Sequence, residues 1–305
     1  MTRLVVHGGA GSISEARQEK RQPVLREAAR EGHDLLAEGG TATEAVLRAV
    51  MVLEADPLFN AGVGSALTLD GRVEMDASIM STRGVLGAVS ELTRVRHPIR
   101  VAKLVAERTD HCFLTGSGLE SFVSSLEIPR VDPVTEQRRD NWEEVRSSLR
   151  DAGYDVDRIP DPDVWGHCTS MVEDVRAQLP DDTETVGAVA VDREGETAAA
   201  TSTGGKPFKL PGRVGDSPVA GAGTMVREAG GVSVTGDGEG ILRMGVAHLV
   251  LDQLRTTGAR EAARRIVDRA DERGVECGLI VLDPENEQHG SAFNTDAMTT
   301  AAIPE

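Results

Sequence analysis

Cysteine is scarce. Cys112, Cys168 and Cys277 are the three in 305 residues, odd in number and far apart. That excludes a disulfide framework and a zinc pair at C-x2-C spacing, and buried thiols are expected. Positive charge is also short, with 33 Lys+Arg against 50 Asp+Glu for a formal net charge of -17, and aromatic residues make up only 3%. A surface of that sign repels phosphate backbones and anionic headgroups, so neither nucleic acid nor membrane is an expected partner. Lysine supplies just 4 of the 33 basic residues, and the acidic residues are spread along the chain rather than gathered in a tail. Such a surface suits high salt, where screening relieves self-repulsion, and a halophilic protein is expected. No run reaches the roughly 18 apolar residues of a membrane span. The apolar run Leu4-Val5-Val6 is too short for a signal-peptide core, so a cytoplasmic protein is expected.

The motifs of common hydrolases are missing too. There is no G-x-S-x-G elbow, no H-E-x-x-H and no Walker lysine behind a glycine loop, and the seven histidines are scattered. Gly8-Gly9-Ala10-Gly11-Ser12 has the texture of a phosphate cradle but lacks the lysine that would make it one. What is plentiful is threonine and glycine together, in Thr185-Val186-Gly187, Thr201-Ser202-Thr203-Gly204-Gly205, Gly221-Ala222-Gly223-Thr224 and Thr235-Gly236-Asp237-Gly238. By spacing alone these read as turns in a β-rich half.

The length admits one large domain or two small ones. Residues 3–6 predict a strand entering a glycine turn, and 14–55 two helices parted at Gly39-Gly40, the second opened by the capping box Thr41-Ala42-Thr43-Glu44. Asp70-Gly71, between short apolar runs, predicts a hairpin. Helical texture returns at 99–107 and 118–125. The stretch 128–183, rich in proline and charge, reads as a mobile linker with one helix near 138–151. Strands are then expected at 186–192 and 197–203, helices at 238–257 and 259–273, and strands at 277–283 and 287–293. Hairpins with few βαβ crossovers predict an α+β fold of antiparallel sheet covered by helices.

Several blocks, in one order, resemble the plant-type asparaginase / isoaspartyl peptidase family of N-terminal nucleophile hydrolases. They are His7-Gly8-Gly9-Ala10-Gly11, Phe59-Asn60-Ala61-Gly62-Val63-Gly64-Ser65, Glu74-Met75-Asp76-Ala77-Ser78, Thr185-Val186-Gly187-Ala188-Val189, Ala200-Thr201-Ser202-Thr203-Gly204-Gly205, Gly212-Arg213-Val214-Gly215-Asp216-Ser217-Pro218 and Thr235-Gly236-Asp237-Gly238. The resemblance implies a single domain over 1–305 with a four-layer αββα sandwich. It also implies self-cleavage at Glu184–Thr185 into an α subunit, 1–184, and a β subunit, 185–305. The freed α-amine of Thr185 would serve as the base for its own hydroxyl, which accounts for the missing histidine. Thr203 would hydrogen-bond that hydroxyl, and Thr235 and Gly236 would form the oxyanion hole. Asn60 would sit near the nucleophile, holding a water or steering the precursor's carbonyl.

The same resemblance assigns Arg213 and Gly238 to the substrate's α-carboxylate and Asp216 to its α-ammonium, so that both charges of an amino acid are read. No cofactor is implied for catalysis. Backbone carbonyls of Leu53, Glu54, Phe59, Ala61 and Val63 would hold a structural sodium ion, and the assembly would be a homodimer of cut αβ units. His7 is expected to be structural. The implied activity is release of ammonia from L-asparagine, together with hydrolysis of isoaspartyl dipeptides. A glycosylasparaginase-like hydrolase and a non-cleaving, non-catalytic relative are the alternatives. One departure stands out: Glu184 precedes the nucleophile where many relatives have Gly and the glycosylasparaginases have Asp. A second is Lys206-Pro207-Phe208-Lys209, which is expected to border the leaving-group side of the pocket.

Overall fold

The computed structural model describes residues 2–151, 153, 184–286 and 288–304. Its larger sheet has seven strands in the order β11-β1-β5-β6-β2-β3-β4. These are β1 (Arg3–Gly11), β2 (Met75–Ser81), β3 (Leu86–Leu92), β4 (Phe113–Thr115), β5 (Val186–Val191), β6 (Thr197–Thr203) and β11 (Ala297–Ile303). Every pairing in it is antiparallel except that of β3 with β4. The smaller sheet is antiparallel, β10-β9-β8-β7, built from β7 (Thr224–Arg227), β8 (Gly230–Gly236), β9 (Cys277–Asp283) and β10 (Gln288–Phe293).

Helices α1 (Glu15–Ala37), α2 (Ala42–Ala55) and α3 (Pro98–Arg108) cover the outer face of the large sheet. On the outer face of the small sheet lie α7 (Val246–Leu254) and α8 (Ala259–Asp271), each amphipathic with an alanine-rich or aliphatic inner stripe. The two sheets pack face to face through Val5, Val189, Val191, Ala199, Val226, Ile280 and Leu282. The layers are therefore helix, sheet, sheet, helix. This arrangement explains the composition of the central strands. Val186, Ala188 and Ala190 of β5 face the helices while Val189 and Val191 face the other sheet, and a strand buried on both faces reads as a continuous apolar run rather than an alternation.

Several sequence expectations are corrected. The capping box at Thr41 is present and α2 starts there, but the helix expected over 238–257 is two, α6 (Gly238–Met244) and α7, broken where Gly245 turns left-handed at φ 64°. Apolar periodicity runs on across that break, so the pattern hid it. The Asp70-Gly71 turn closes with Gly71 N donating to Thr68 O at 2.9 Å, yet its flanks are joined by the single bridge Leu67–Val73 and form no hairpin of strands. The flanks pair elsewhere: Arg72 N donates to Thr68 Oγ1 at 3.0 Å rather than to its carbonyl, Leu69 N donates to Lys209 O and Phe208 N to Leu67 O, while the Trp142 indole Nε1 donates to Thr68 O at 3.1 Å. Trp142 belongs to α5 (Glu136–Asp151), which buries Val145 and Leu149. Beyond α5 and Gly153, residues 154–183 of the expected linker lie outside the described residues. A short α4 (Gly116–Ser124) completes the helices among the described residues. Of the thiols expected to be buried, Cys277 is and Cys112 is exposed, while Cys168 lies outside the described residues.

Candidate active site

Strand alternation puts residues i and i+2 on one face. On the inner faces this aligns Thr185, Gly187 and Val189 of β5 and its approach, Thr203, Thr201 and Ala199 of β6, and Thr235, Ser233 and Gly231 of β8. The ladder pairs Val186 with Ser202. Extended by one residue, the same register sets Thr185 opposite Thr203. From the other sheet, Thr235 Oγ1 accepts a hydrogen bond from Thr185 N at 3.3 Å. The three threonines are buried, with relative exposures of 4%, 3% and 0% for 185, 203 and 235. The Thr185 nitrogen that makes this bond is a peptide amide. Thr203 Oγ1 accepts from Gly205 N at 3.0 Å, closing the turn that leads away from β6.

Asn60 braces that turn. Its Nδ2 donates to Gly205 O at 2.7 Å, its Oδ1 accepts from Ala66 N at 2.7 Å, and Gly204 N donates to Asn60 O at 2.8 Å. The side chain expected to hold a water or steer a carbonyl thus spends hydrogen bonds on the loop's own backbone.

A second group of residues lies at the start of α6. A Cβ placed on Gly238 would sit 2.6 Å from Arg213 Nη2 and 3.0 Å from Asp216 Oδ1, so the three predicted substrate-reading residues converge on one spot. Asp216 is buried, and burial pushes its carboxyl up to about 7 against the opposing pull of Arg213. Arg213 is already engaged, which sequence reasoning missed. Its Nε and Nη2 donate to the two carboxylate oxygens of Glu239, each at 2.8 Å. Lys206 Nζ reaches the same carboxylate at 2.7 Å and Asp237 Oδ1 at 2.5 Å. Partial burial would raise the Glu239 carboxyl, but these two cations outweigh it and hold it far below the ordinary carboxylate range. Glu239 directly follows Gly238, and its position in the first turn of a helix was the signal available for it. Asp237, the N-cap of that helix, accepts from Gly240 N at 3.0 Å.

Lys209, the last residue of the block expected to border the leaving-group side, is buried and donates to Glu74 O at 2.6 Å. Nearby Asp76 accepts from Gly215 N and Glu91 N, both at 3.3 Å, and burial raises its carboxyl while Lys209 and Arg213 pull it down. Asp76 thus ties down the backbone two residues beyond Arg213, and Lys209 that of Glu74.

The loop expected to hold sodium has converging carbonyls. A Cβ on Gly62 would lie 2.4 Å from Glu54 O and 2.6 Å from Arg96 O, and one on Gly64 would lie 2.8 Å from Pro57 O and 2.9 Å from Phe59 O. Of the five expected donors, Leu53 O and Glu54 O also accept backbone N–H groups, from Asp56 and Val63. Of the five expected donors only Glu54 O and Phe59 O stand at these two glycines, beside Arg96 O and Pro57 O, and such all-oxygen surroundings are the chemistry a hard cation takes. No cluster of three His, Cys, Asp or Glu side chains suited to a metal occurs among the described residues. Nor, among them, is any helix long and apolar enough to cross a membrane.

Comparison with known proteins places the chain. It matches the family described as Asparaginase over residues 1–305. The chain belongs to that family. It is 41% identical over 314 residues to a plant-type L-asparaginase of Pyrococcus furiosus, a match covering 100% of this chain and 97% of that protein. To an isoaspartyl peptidase/L-asparaginase of Mus musculus it is 38% identical over 309 residues, with 98% and 87% covered. The asparaginase family consists of hydrolases with the N-terminal nucleophile fold, and the two-sheet α+β architecture found here agrees with it.

Proposed function

We propose that this asparaginase-family chain releases ammonia from the side-chain amide of L-asparagine, also hydrolyses isoaspartyl dipeptides, and gains its catalytic base by cutting its own Glu184–Thr185 bond. The observation that carries this reading is the convergence of Thr185, Thr203 and Thr235 at one end of the layer between the sheets. The names of the relatives support it.

In self-cleavage, Thr185 Oγ adds to the Glu184 carbonyl carbon, the C–N bond breaks, and the hydroxyl proton ends on the released amine. Water then splits the ester, giving its hydroxyl to the Glu184 carboxyl and a proton back to the Thr185 oxygen. An α-amine titrates near ~7.7–8.0 unaided, so at neutral pH it can act as a base. In turnover that amine takes the Thr185 proton while Oγ attacks the substrate's side-chain carbonyl. The Thr235 hydroxyl and Gly236 amide receive the developing oxyanion, a role worth ~2.7–4 kcal/mol per donor. The amine passes its proton to the departing ammonia or peptide amine, and water hydrolyses the acyl ester to free aspartate. Throughout, Arg213 and the Gly238 amide hold the α-carboxylate and Asp216 the α-ammonium. Arg213 does so with its guanidinium held in place by Glu239.

A sodium ion on the carbonyls of Leu53, Glu54, Phe59, Ala61 and Val63 would stiffen the loop that carries Asn60 and take no part in chemistry. Assembly as a homodimer of cut αβ units is part of the same reading, and light scattering checks it.

A denaturing gel and an aspartate assay test the function. The expected result is chains of 184 and 121 residues with aspartate released from asparagine, and a single inactive 305-residue chain for Thr185→Ala. Fully cut protein inert to both asparagine and β-aspartyl dipeptides overturns the substrate assignment. Full turnover by an intact chain overturns the mechanism. The carboxylate at position 184 favours glycosylasparaginase-like chemistry as a second reading, so the substrate panel includes a glycosylated asparagine.

A further inference from the structure

The residue before the nucleophile is tied down in a way the proposed chemistry does not use. Glu184 is fully buried, and its carboxylate forms an ion pair with the Arg21 guanidinium, which is fully buried too. To reach Arg21 the Glu184 side chain passes directly over Gly9, where a Cβ would lie 2.5 Å from Glu184 Cβ and 2.9 Å from its Cγ. Arg21 sits on α1 and has further work: its Nε and Nη2 donate to Leu58 O at 3.1 and 2.7 Å, and its guanidinium lies over the Phe59 ring at 5.4 Å. One side chain therefore joins the carbonyl side of the Glu184–Thr185 bond to the loop that presents Asn60.

We infer that Arg21 is a positioning residue for self-cleavage, clamping the Glu184 side chain so that the Glu184 carbonyl is presented to the Thr185 hydroxyl. The inference rests on the self-cleavage reading above. A glycine before the nucleophile needs no anchor, because it adopts contorted backbone at little cost. A glutamate does not have that freedom and carries a charge into the interior. Burying it is tolerable only with a partner, and an arginine fork also fixes its direction. The Arg21–Glu184 pair thus does by side-chain tether what glycine does by backbone freedom. The step it assists is the net hydrolysis already written: the carbonyl carbon exchanges nitrogen for the Thr185 oxygen, then for water, with no other reactant.

The test follows cleavage of freshly purified full-length chain on denaturing gels, with circular dichroism to confirm folding and Thr185→Ala as the uncut reference. Arg21→Met is expected to slow processing on the order of ten-fold or more, since it leaves the buried carboxylate without its cation. Arg21→Lys keeps the charge but loses the fork, and should fall between. Glu184→Gly should process at least as fast as the parent. The decisive arm is Arg21→Met/Glu184→Gly, expected to process like Glu184→Gly alone, a rescue that a purely structural role for Arg21 would not give. Wild-type rates in Arg21→Met, or a double variant as slow as Arg21→Met, overturn the inference while leaving self-cleavage intact. A wild-type chain that stays whole overturns both. Should Arg21→Met fail to fold, the Arg21→Lys and double-variant rates decide alone.

Discussion

The layer between the two sheets has unlike halves. Toward one end it is filled by Val5, Val189, Val191, Ala199, Ile280 and Leu282. Two residues further along the same strands the inner faces turn polar: His7 follows Val5, Thr201 replaces Ala199, and on β8 Ser233 and then Thr235 follow Gly231. These polar groups satisfy one another. His7 Nε2 and Ser233 Oγ are 2.8 Å apart, Ser233 Oγ and Thr201 Oγ1 2.7 Å, Thr224 Oγ1 donates to Thr201 Oγ1 at 2.5 Å, and Ser78 Oγ lies 2.9 Å from Thr224 Oγ1 and 2.6 Å from Ser217 O, its nearer acceptor. The chain runs from the strand beside Thr185 to the neighbour of Asp216. Space there is tight: a Cβ on Gly187 would lie 2.0 Å from Ser233 Oγ. The aliphatic half has only to exclude water, whereas the hydroxyl half must hold donors in fixed directions, because buried polar groups are costly unless paired. The contrast suggests that stability is concentrated in one half and chemistry in the other.

Substitutions in each half separate these roles. Thr235→Ala removes the hydroxyl that accepts from Thr185 N and that is proposed to stabilise the oxyanion, and should lower kcat by ~10²–10³ per processed active site while shifting Tm little. Normal kcat in fully processed protein would remove Thr235 from the oxyanion hole. Ile280→Ala, in the aliphatic half, should do the reverse. Loss of a buried aliphatic group of this size costs roughly 2–5 kcal/mol, read by denaturant unfolding, with kcat/KM unchanged at a temperature where the variant is folded. A variant that kept its stability but lost activity would erase the division between the halves.

The sequence makes one half of this picture far more legible than the other. Thr185, Thr203 and Thr235 stand in local blocks, and each block carries its own glycine turn, so the resemblance could be traced one block at a time. Strand positions were readable for a related reason: a strand buried on both faces gives an unbroken apolar run, as in Val186–Val191. What could not be read depends on pairs brought together by the fold. Nothing near Arg213 announces that Glu239 will take two of its donors, and nothing near Glu184 announces Arg21. Helix periodicity likewise passed over Gly245, because apolar residues on both sides keep the same stripe.

Asp216 sharpens the comparison, since it marks where the polar half pays in stability for function. Its carboxyl is raised from 3.8 to about 7 by burial, so in the folded chain it holds its proton after the unfolded chain has lost it. Between about pH 4 and 7 the unfolded state then binds fewer protons, and stability falls as pH rises through that window. Asp216→Asn removes the penalty. Its stability relative to the parent should improve at pH 8, by about 4 kcal/mol at most, and the gain should nearly vanish at pH 4. The same variant should bind substrate poorly at pH 8, where the parent carboxylate is charged, because the Asn oxygen still accepts a hydrogen bond but offers no negative charge to the proposed α-ammonium; the deficit should shrink as pH falls through about 7 and the parent carboxyl is neutralised. A stability difference that does not change with pH would show that the buried carboxyl is not the source.

The smallest effect tests the hydroxyl chain. Ser233→Ala strips His7 Nε2 and Thr201 Oγ1 of a shared partner. His7 is held neutral by burial, which pushes its imidazole down to about 3, so no charge is exposed and the loss is that of neutral hydrogen bonds. That should cost about 1–3 kcal/mol of stability. Because Ser233 touches no proposed reacting atom, kcat should fall less than about ten-fold, through looser seating of Thr185 and Asp216 rather than through a lost donor. If Ser233→Ala proves as damaging to kcat as Thr235→Ala, the chain does more than position its ends. If it changes neither stability nor rate, the hydroxyl half is no more constrained than the aliphatic one.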